Sequence, residues 1–375
     1  MIYLDYSANT PVDARVLEQF CAVERRCIGN ANSHHQAGSA AKAEIDAATI
    51  RIASLLGVQP AEIIYTSGAS EANNFALKGL TRLSRHAGRH IISTPLEHSS
   101  VSGTLTALQE QGYEIDLLDV KQDGTVDLEH LKDLLRLDTI CVAITLVDSE
   151  LGVVQPVQEI AAILKAYPHC HLHVDATQAV GKIPVSFEGV DTMSLTAHKF
   201  YGLNGIGLLI KRRNLALEPL IHGGESTTIY RSGTPTVALA SSLACALDFA
   251  VTDLPGRVDH VAKLNAELRA ALSTYPLVRI NSPDHAIPHV LNLSVRNVKG
   301  TVFQRELDAK GVCVSVKSAC SSDGLPSRAV FAVSRDRRNA LSSWRISLSH
   351  LTTEDEIKAF LQAFDVCYRE LTALH

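Results

Sequence analysis

His173-Val-Asp175-Ala-Thr-Gln178 and, downstream, Ser194-Leu-Thr-Ala-His-Lys199-Phe-Tyr-Gly202 decide how this chain is read. Each begins as an apolar, β-rich run and closes on a polar side chain. An acid closes the first, and a lysine closes the second 24 positions later. Around them, from about 61 to 212, short β-rich runs alternate with helical stretches. The runs fall at 62–65, 90–94, 114–120, 139–147, 171–175, 192–196 and 205–210, and helical periodicity fills 39–57, 126–137 and 157–166. Buried strands alternating with helices predict an α/β architecture, here a mostly parallel seven-stranded sheet with crossover helices. Open sheets of this kind take ligands at the carboxyl ends of their strands. The acid and the lysine are therefore expected to meet at one sheet edge.

Past residue 250 the pattern changes. Val261, Leu264, Leu268 and Leu272 mark a long helix, and strands are predicted at 290–295, 312–316 and 344–348. A last helix starts at Thr353 with Glu356 completing a capping box, and turns Ile357, Phe360, Leu361 and Phe364 inward. This predicts a smaller α+β domain of residues 1–12 and 252–375, beside a large domain of 13–251. The break is expected at the TDLPGR segment, 252–257.

The 375 residues are 46% hydrophobic and 20% charged, which is globular rather than disordered composition. A net charge of -5 is opposite in sign to a nucleic-acid footprint. No run approaches the roughly 18 apolar residues of a membrane span. Met1-Ile-Tyr-Leu-Asp-Tyr lacks the charged and apolar regions of a signal peptide, so a cytoplasmic protein is expected. None of the eight cysteines forms a C-x-x-C pair, which argues against a disulfide framework or a cysteine zinc site, and no metal is expected.

A lysine after a strand is, by itself, most often a solvated loop residue. Paired with an acid at the next strand end, it suits pyridoxal 5'-phosphate (PLP): the lysine forms the Schiff base, and the carboxylate keeps the pyridine nitrogen protonated. Tyr65-Thr-Ser-Gly-Ala69-Ser70-Glu-Ala-Asn-Asn74 runs from a strand through a small-residue turn into a helix, the form of a phosphate seat. Glu97-His98 follows the strand at 90–94 and places a histidine at the same kind of strand end.

Ordered motifs then carry a resemblance: LDYSANTP at 4–11, GNANSHHQAG at 29–38, TSGASEANN at 66–74, EHSSV at 97–101, HVDATQAVGK at 173–182, AHKFYG at 197–202, RSGTP at 231–235, SACSS at 318–322 and WRISLS at 344–349. The chain resembles the NifS/IscS-like cysteine desulfurases, in the class V aminotransferase branch of fold-type I PLP enzymes. The resemblance implies that Lys199 is the Schiff-base lysine and Asp175 the partner of the pyridine nitrogen. It further implies that His98 stacks on the ring and moves protons, that Gln178 hydrogen-bonds the phenolic oxygen, and that Ser149 stands where the family has an asparagine near that oxygen. Ala69, Ser70, Thr196 and His198 would hold the phosphate. Thr234 would reach the phosphate of a second subunit, which implies a homodimer, and Arg345 would clamp the substrate carboxylate. Cys320, in the small and polar 318–326 segment, would take sulfur from L-cysteine as a persulfide and pass it to an acceptor protein. Cys313, in an apolar run, is read as core.

The sequence departs from the family at several points. Ser149 replaces an asparagine, the segment 223–230 lacks the usual arginine, and the cysteine loop is about one residue short. The rival readings are a selenocysteine lyase or an aminotransferase-like enzyme of the same branch, and a catalytically silent scaffold. A hydride-transferring Rossmann enzyme is disfavoured, because no G-x-G-x-x-G follows an early strand.

Overall fold

The computed structural model describes residues 1–317 and 325–373. Seven strands form the main sheet: β2 (Ile63–Thr66), β3 (His90–Ser93), β4 (Glu114–Leu117), β5 (Thr139–Thr145), β6 (His171–Asp175), β7 (Thr192–Thr196) and β8 (Gly207–Lys211), in spatial order β2-β8-β7-β6-β5-β3-β4. β8 runs antiparallel to both its neighbours and all the other pairs are parallel. The central strands are buried along their length except for His171 at the start of β6, because helices cover both faces of the sheet. Alternate side chains serve the two layers. Ile92, Val142, Ile144 and Leu208 pack with the helices Gln36–Leu56 and Val237–Thr252, while Ile91, Cys141, Ala143 and Leu209 pack with Ala69–Ser84 and Ser99–Gln109.

A second core gathers the C-terminal residues. β9 (Val278–Ile280), β10 (Val290–Val295) and β12 (Ser343–Ser347) form an antiparallel sheet in order β12-β10-β9. Trp344 stacks on Phe303 at 5.1 Å, and Phe360 and Phe364 pack on Trp344 from the last helix, Glu354–Thr372. Thr353 and Glu356 cap that helix reciprocally, as expected from the sequence. The chain start joins this core: Leu4 is buried in it, and β1 (Ile2–Tyr3) pairs in parallel with β11 (Val312–Cys313).

Several local expectations change. At the TDLPGR segment, where the break is expected, the chain is helical on both sides of Asp253. The helices Val237–Thr252 and Leu254–Leu272 meet at Asp253 with a 65° bend, and Pro255 sits in the first turn of the second helix, where its missing N–H costs nothing. The helix predicted over 126–137 is only Leu128–Leu134, since the Asp127 side chain caps it at its start. The strand predicted over 312–316 shrinks to Val312–Cys313, and Cys313 is only partly buried, not core. Among the described residues no single helix is long and apolar enough to cross a membrane.

Candidate active site

Five strand ends converge on one cleft of about 350 Å³. Asp175 closes β6, Thr196 closes β7 ahead of the Ala197–Lys199 turn, and the loops after β2, β3 and β5 bring Ala69, Ser70, His98 and Ser149. Gln178, His198, Lys199 and Arg345 complete the set expected from the sequence. Thr234 does not line the cleft and is exposed. Cys320 lies outside the described residues.

The phosphate seat follows from backbone geometry. The helix Ala69–Ser84 starts after Gly68, which has φ +155° and offers no side-chain cap, so the N–H groups of the first turn have no partner within the helix. Gly207 lets β8 approach this turn, since a Cβ there would lie 2.7 Å from the Gly68 Cα. Thr196 Oγ1 faces the same glycine and bonds to His198 Nδ1 at 3.1 Å. Burial, together with the Lys199 charge, pushes His198 down to about 4, so its ring is neutral at physiological pH. Glu71 accepts the Ser67 N–H at 2.8 Å and pairs with Arg231 of the RSGTP motif at 3.0 Å.

Lys199 is held from the chain start. Its Nζ donates to the carbonyls of Ser7 at 2.7 Å and Ala8 at 2.6 Å. Thr10 stitches the two segments together, donating through Oγ1 to the His198 carbonyl at 2.9 Å and accepting the Tyr201 N–H at 2.8 Å. The Gln178 amide is also committed: Nε2 donates to the Ser7 carbonyl at 2.9 Å, and Oε1 accepts from the buried Lys182.

Behind Asp175 stands a residue that reading the sequence alone did not single out. Asn73, fully buried on the helix Ala69–Ser84, donates from Nδ2 to Asp175 Oδ2 at 2.8 Å and to Ser100 Oγ at 2.9 Å. Its Oδ1 faces His173 Nε2 at 3.0 Å and accepts the Ser194 hydroxyl. The Thr177 N–H fixes the other Asp175 oxygen at 2.9 Å. Asn73 lies within TSGASEANN, four positions after Ala69 and so on the same helix face, which was its only sequence signal.

His98 caps the helix Ser99–Gln109, its Nδ1 accepting the Ser100 N–H at 3.2 Å. An accepting Nδ1 puts the ring proton on Nε2. Burial lowers its pKa, outweighing the nearby Asp175 charge, so a neutral imidazole stands in the cleft. Arg345, 1% exposed on β12, donates to the Ser149 carbonyl at 2.8 Å and to Asp5 at 2.8 Å, while its Nε has no partner among the described residues. A guanidinium has five N–H groups, so donors remain for an anion. Ser149 contributes that carbonyl.

Three further titratable groups stand behind the cleft, and their perturbation was not legible in the sequence. Burial pushes Glu97 up to about 8 and Asp148 up to about 7, and drives Lys182 well below its ordinary value. Two hydroxyls on cleft residues, Ser7 and Thr177, are buried without a partner among the described residues. Anion-seeking N–H groups, a carboxylate, a lysine and unpartnered hydroxyls together fit a cofactor with a phosphate, a basic ring nitrogen and a carbonyl.

Comparison with known proteins agrees with this geometry. The aminotransferase class-V family model matches residues 2–360. The chain belongs to the class-V aminotransferase family. It is 40% identical to a protein of Proteus mirabilis named cysteine desulfurase IscS, over 95% of this chain and 90% of that one. A NifS/IcsS protein homolog of Lactobacillus delbrueckii subsp. bulgaricus is 35% identical over 100% of this chain and 99% of its own. A solved structure described as a NifS-like protein superposes with a TM-score of 0.93, at 35% identity and full coverage of both chains. This class-V member is thus of the NifS/IscS-like kind, and its sheet is that of a fold-type I PLP enzyme.

Proposed function

We propose that the protein is a cysteine desulfurase: it binds PLP and L-cysteine, releases L-alanine, and leaves the sulfur as a persulfide on Cys320 for an acceptor protein. The observation that carries the reading is that Lys199, Asp175, His98 and Arg345 line one cleft, in a chain 40% identical to a protein named cysteine desulfurase IscS. Ala69, Ser70, Thr196 and His198 would hold the phosphate of PLP, Asp175 its ring nitrogen, and Lys199 its carbonyl carbon. When bound, PLP supplies an electron sink for the pair released as the substrate Cα–H bond breaks.

Arg345 binds the substrate carboxylate with the donors left by Asp5 and Ser149. The Lys199 amine takes the Cα proton, and the neutral His98, its proton on Nε2, exchanges protons with the substrate thiol. The Cys320 thiolate then attacks the substrate sulfur. The S–S bond forms as the Cβ–S bond breaks, the electron pair stays with Cβ, and a proton completes the alanine methyl group. No external oxidant or reductant is needed. Thr234, exposed and outside the cleft, is left to reach the cofactor of a second subunit in a cytoplasmic homodimer.

The test compares alanine formed from L-cysteine by wild type, Cys320→Ala and Lys199→Ala. The expected result is loss of alanine in both variants, with the yellow cofactor retained only in Cys320→Ala. Equal alanine from wild type and Cys320→Ala removes the assignment.

A further inference from the structure

We propose that a cationic groove on the smaller sheet, sharing no residue with the cleft, is a docking surface for an acidic segment of a partner protein. The groove holds about 400 Å³ between the β9 edge of the sheet, the turn after β10 and the helix Arg337–Ser342. Arg279, Arg296, Lys299 and Arg338 line it and are all exposed. None of the four forms an ion pair with a described carboxylate, whereas the nearby Arg269, Arg305 and Arg335 pair with Asp284, Glu306 and Asp119. Asp336 is the single carboxylate among the described residues of the lining, and its Oδ1 accepts the N–H groups of Arg338 at 2.9 Å and Asn339 at 3.1 Å as a helix cap. Four cations against one carboxylate leave the groove at +3, in a chain whose net charge is -5. Like charges gathered in a concavity repel one another, and that field attracts an anion.

The walls are fixed before any partner arrives. Ser294 Oγ on β10 donates to the Asn339 carbonyl at 3.1 Å, and Asn339 Nδ2 donates to Asn281 Oδ1 at 2.9 Å. Leu277, Val278 and Leu341 supply apolar surface between the cations. A cationic rim over an apolar floor suits glutamate and aspartate side chains, whose carboxylates meet guanidinium forks while their methylenes cover the floor. Nucleic acid is the poorer occupant. No aromatic ring among the described residues lines the groove to stack a base. The inference stands apart from the reaction proposed above.

A fluorescein-labelled octaglutamate peptide, titrated with the full-length holoprotein and read by anisotropy, tests it. Binding is expected in about 50 mM NaCl and should fade toward about 300 mM, as screening requires. The triple variant Arg279→Glu, Arg296→Glu, Arg338→Glu should weaken binding by about tenfold or more. The milder triple change to Gln should weaken it less, and both should form alanine from L-cysteine at the wild-type rate. A control of equal charge change, Arg25→Glu, Arg85→Glu, Lys165→Glu, should bind like wild type. Equal loss in the control, or no loss in the groove variants, overturns the proposal. So does tighter binding of a single-stranded oligonucleotide at the groove, or a changed sedimentation mass in the groove variant, which would assign the surface to a second copy of this chain.

Discussion

Glu97→Gln is expected to change the pH dependence of stability in one direction only. Glu97 is 4% exposed, Oε1 accepts the Thr145 N–H and the Thr94 hydroxyl at 2.8 Å each, and Oε2 has no partner among the described residues. Burial, with Asp175 and Asp148 nearby, raises its pKa from 4.5 to about 8. The folded state therefore holds a proton that the unfolded state gives up above pH 4.5. Stability from this group is complete below that pH and is lost as pH rises through 8. The gap from 4.5 to about 8, at about 1.36 kcal/mol per pH unit, sets a ceiling of about 5 kcal/mol. Glutamine keeps the two accepted bonds and cannot ionise, so it escapes the loss. Urea unfolding of the holoprotein, followed by far-UV circular dichroism at pH 5, 7 and 9, measures the difference. Wild type and variant should lie within about 1 kcal/mol at pH 5, with the variant ahead by about 3–5 kcal/mol at pH 9. Parallel curves over that range would show that Glu97 is already ionised in the folded protein and would refute the reasoning.

Asn73→Ala should destabilise by about 3–5 kcal/mol, since it removes three buried hydrogen bonds, one of them to a carboxylate, and a part-buried one; a urea midpoint shift worth under about 1 kcal/mol would contradict the network. Gly300→Ala places a Cβ 2.2 Å from the Ser343 carbonyl oxygen and should cost about 1–3 kcal/mol. The single tryptophan, Trp344, is fully buried beside this contact, so its fluorescence in urea reports the loss, and an unchanged midpoint would contradict the packing. Arg345→Lys should raise the KM for L-cysteine by about tenfold or more with a smaller change in kcat, because an ammonium cannot replace a planar fork. Steady-state alanine assays separate the two constants, and an unchanged KM would remove Arg345 from the carboxylate site.

Much of the fold was legible because it is local. Continuous apolar runs read as strands buried on both faces, and 171–175 and 192–196 match β6 and β7 residue for residue. The Thr353 capping box lies within four consecutive positions and is present as read. Where local signals compete, the reading slipped. The Asp127 cap starts one helix two residues later than its periodicity suggests, and Pro255, in the segment where the break between domains is expected, sits in the first turn of another. In the site, residues at strand ends were recoverable because parallel strands in one sheet must present their carboxyl ends together.

The sequence by itself determined the order of strands and helices, the strand ends that carry Asp175 and the Lys199 turn, and the small-residue turn that opens the phosphate seat. Only the tertiary structure decided that the Ser7 and Ala8 carbonyls hold Lys199, that Asn73 braces Asp175, that Asp5 shares Arg345, and that Glu97 keeps its proton near neutral pH. Periodicity and capping act over a few residues and are written in neighbouring letters. Pairing across hundreds of positions, and the loss of water around a carboxyl group, depend on which surfaces the packed chain brings together.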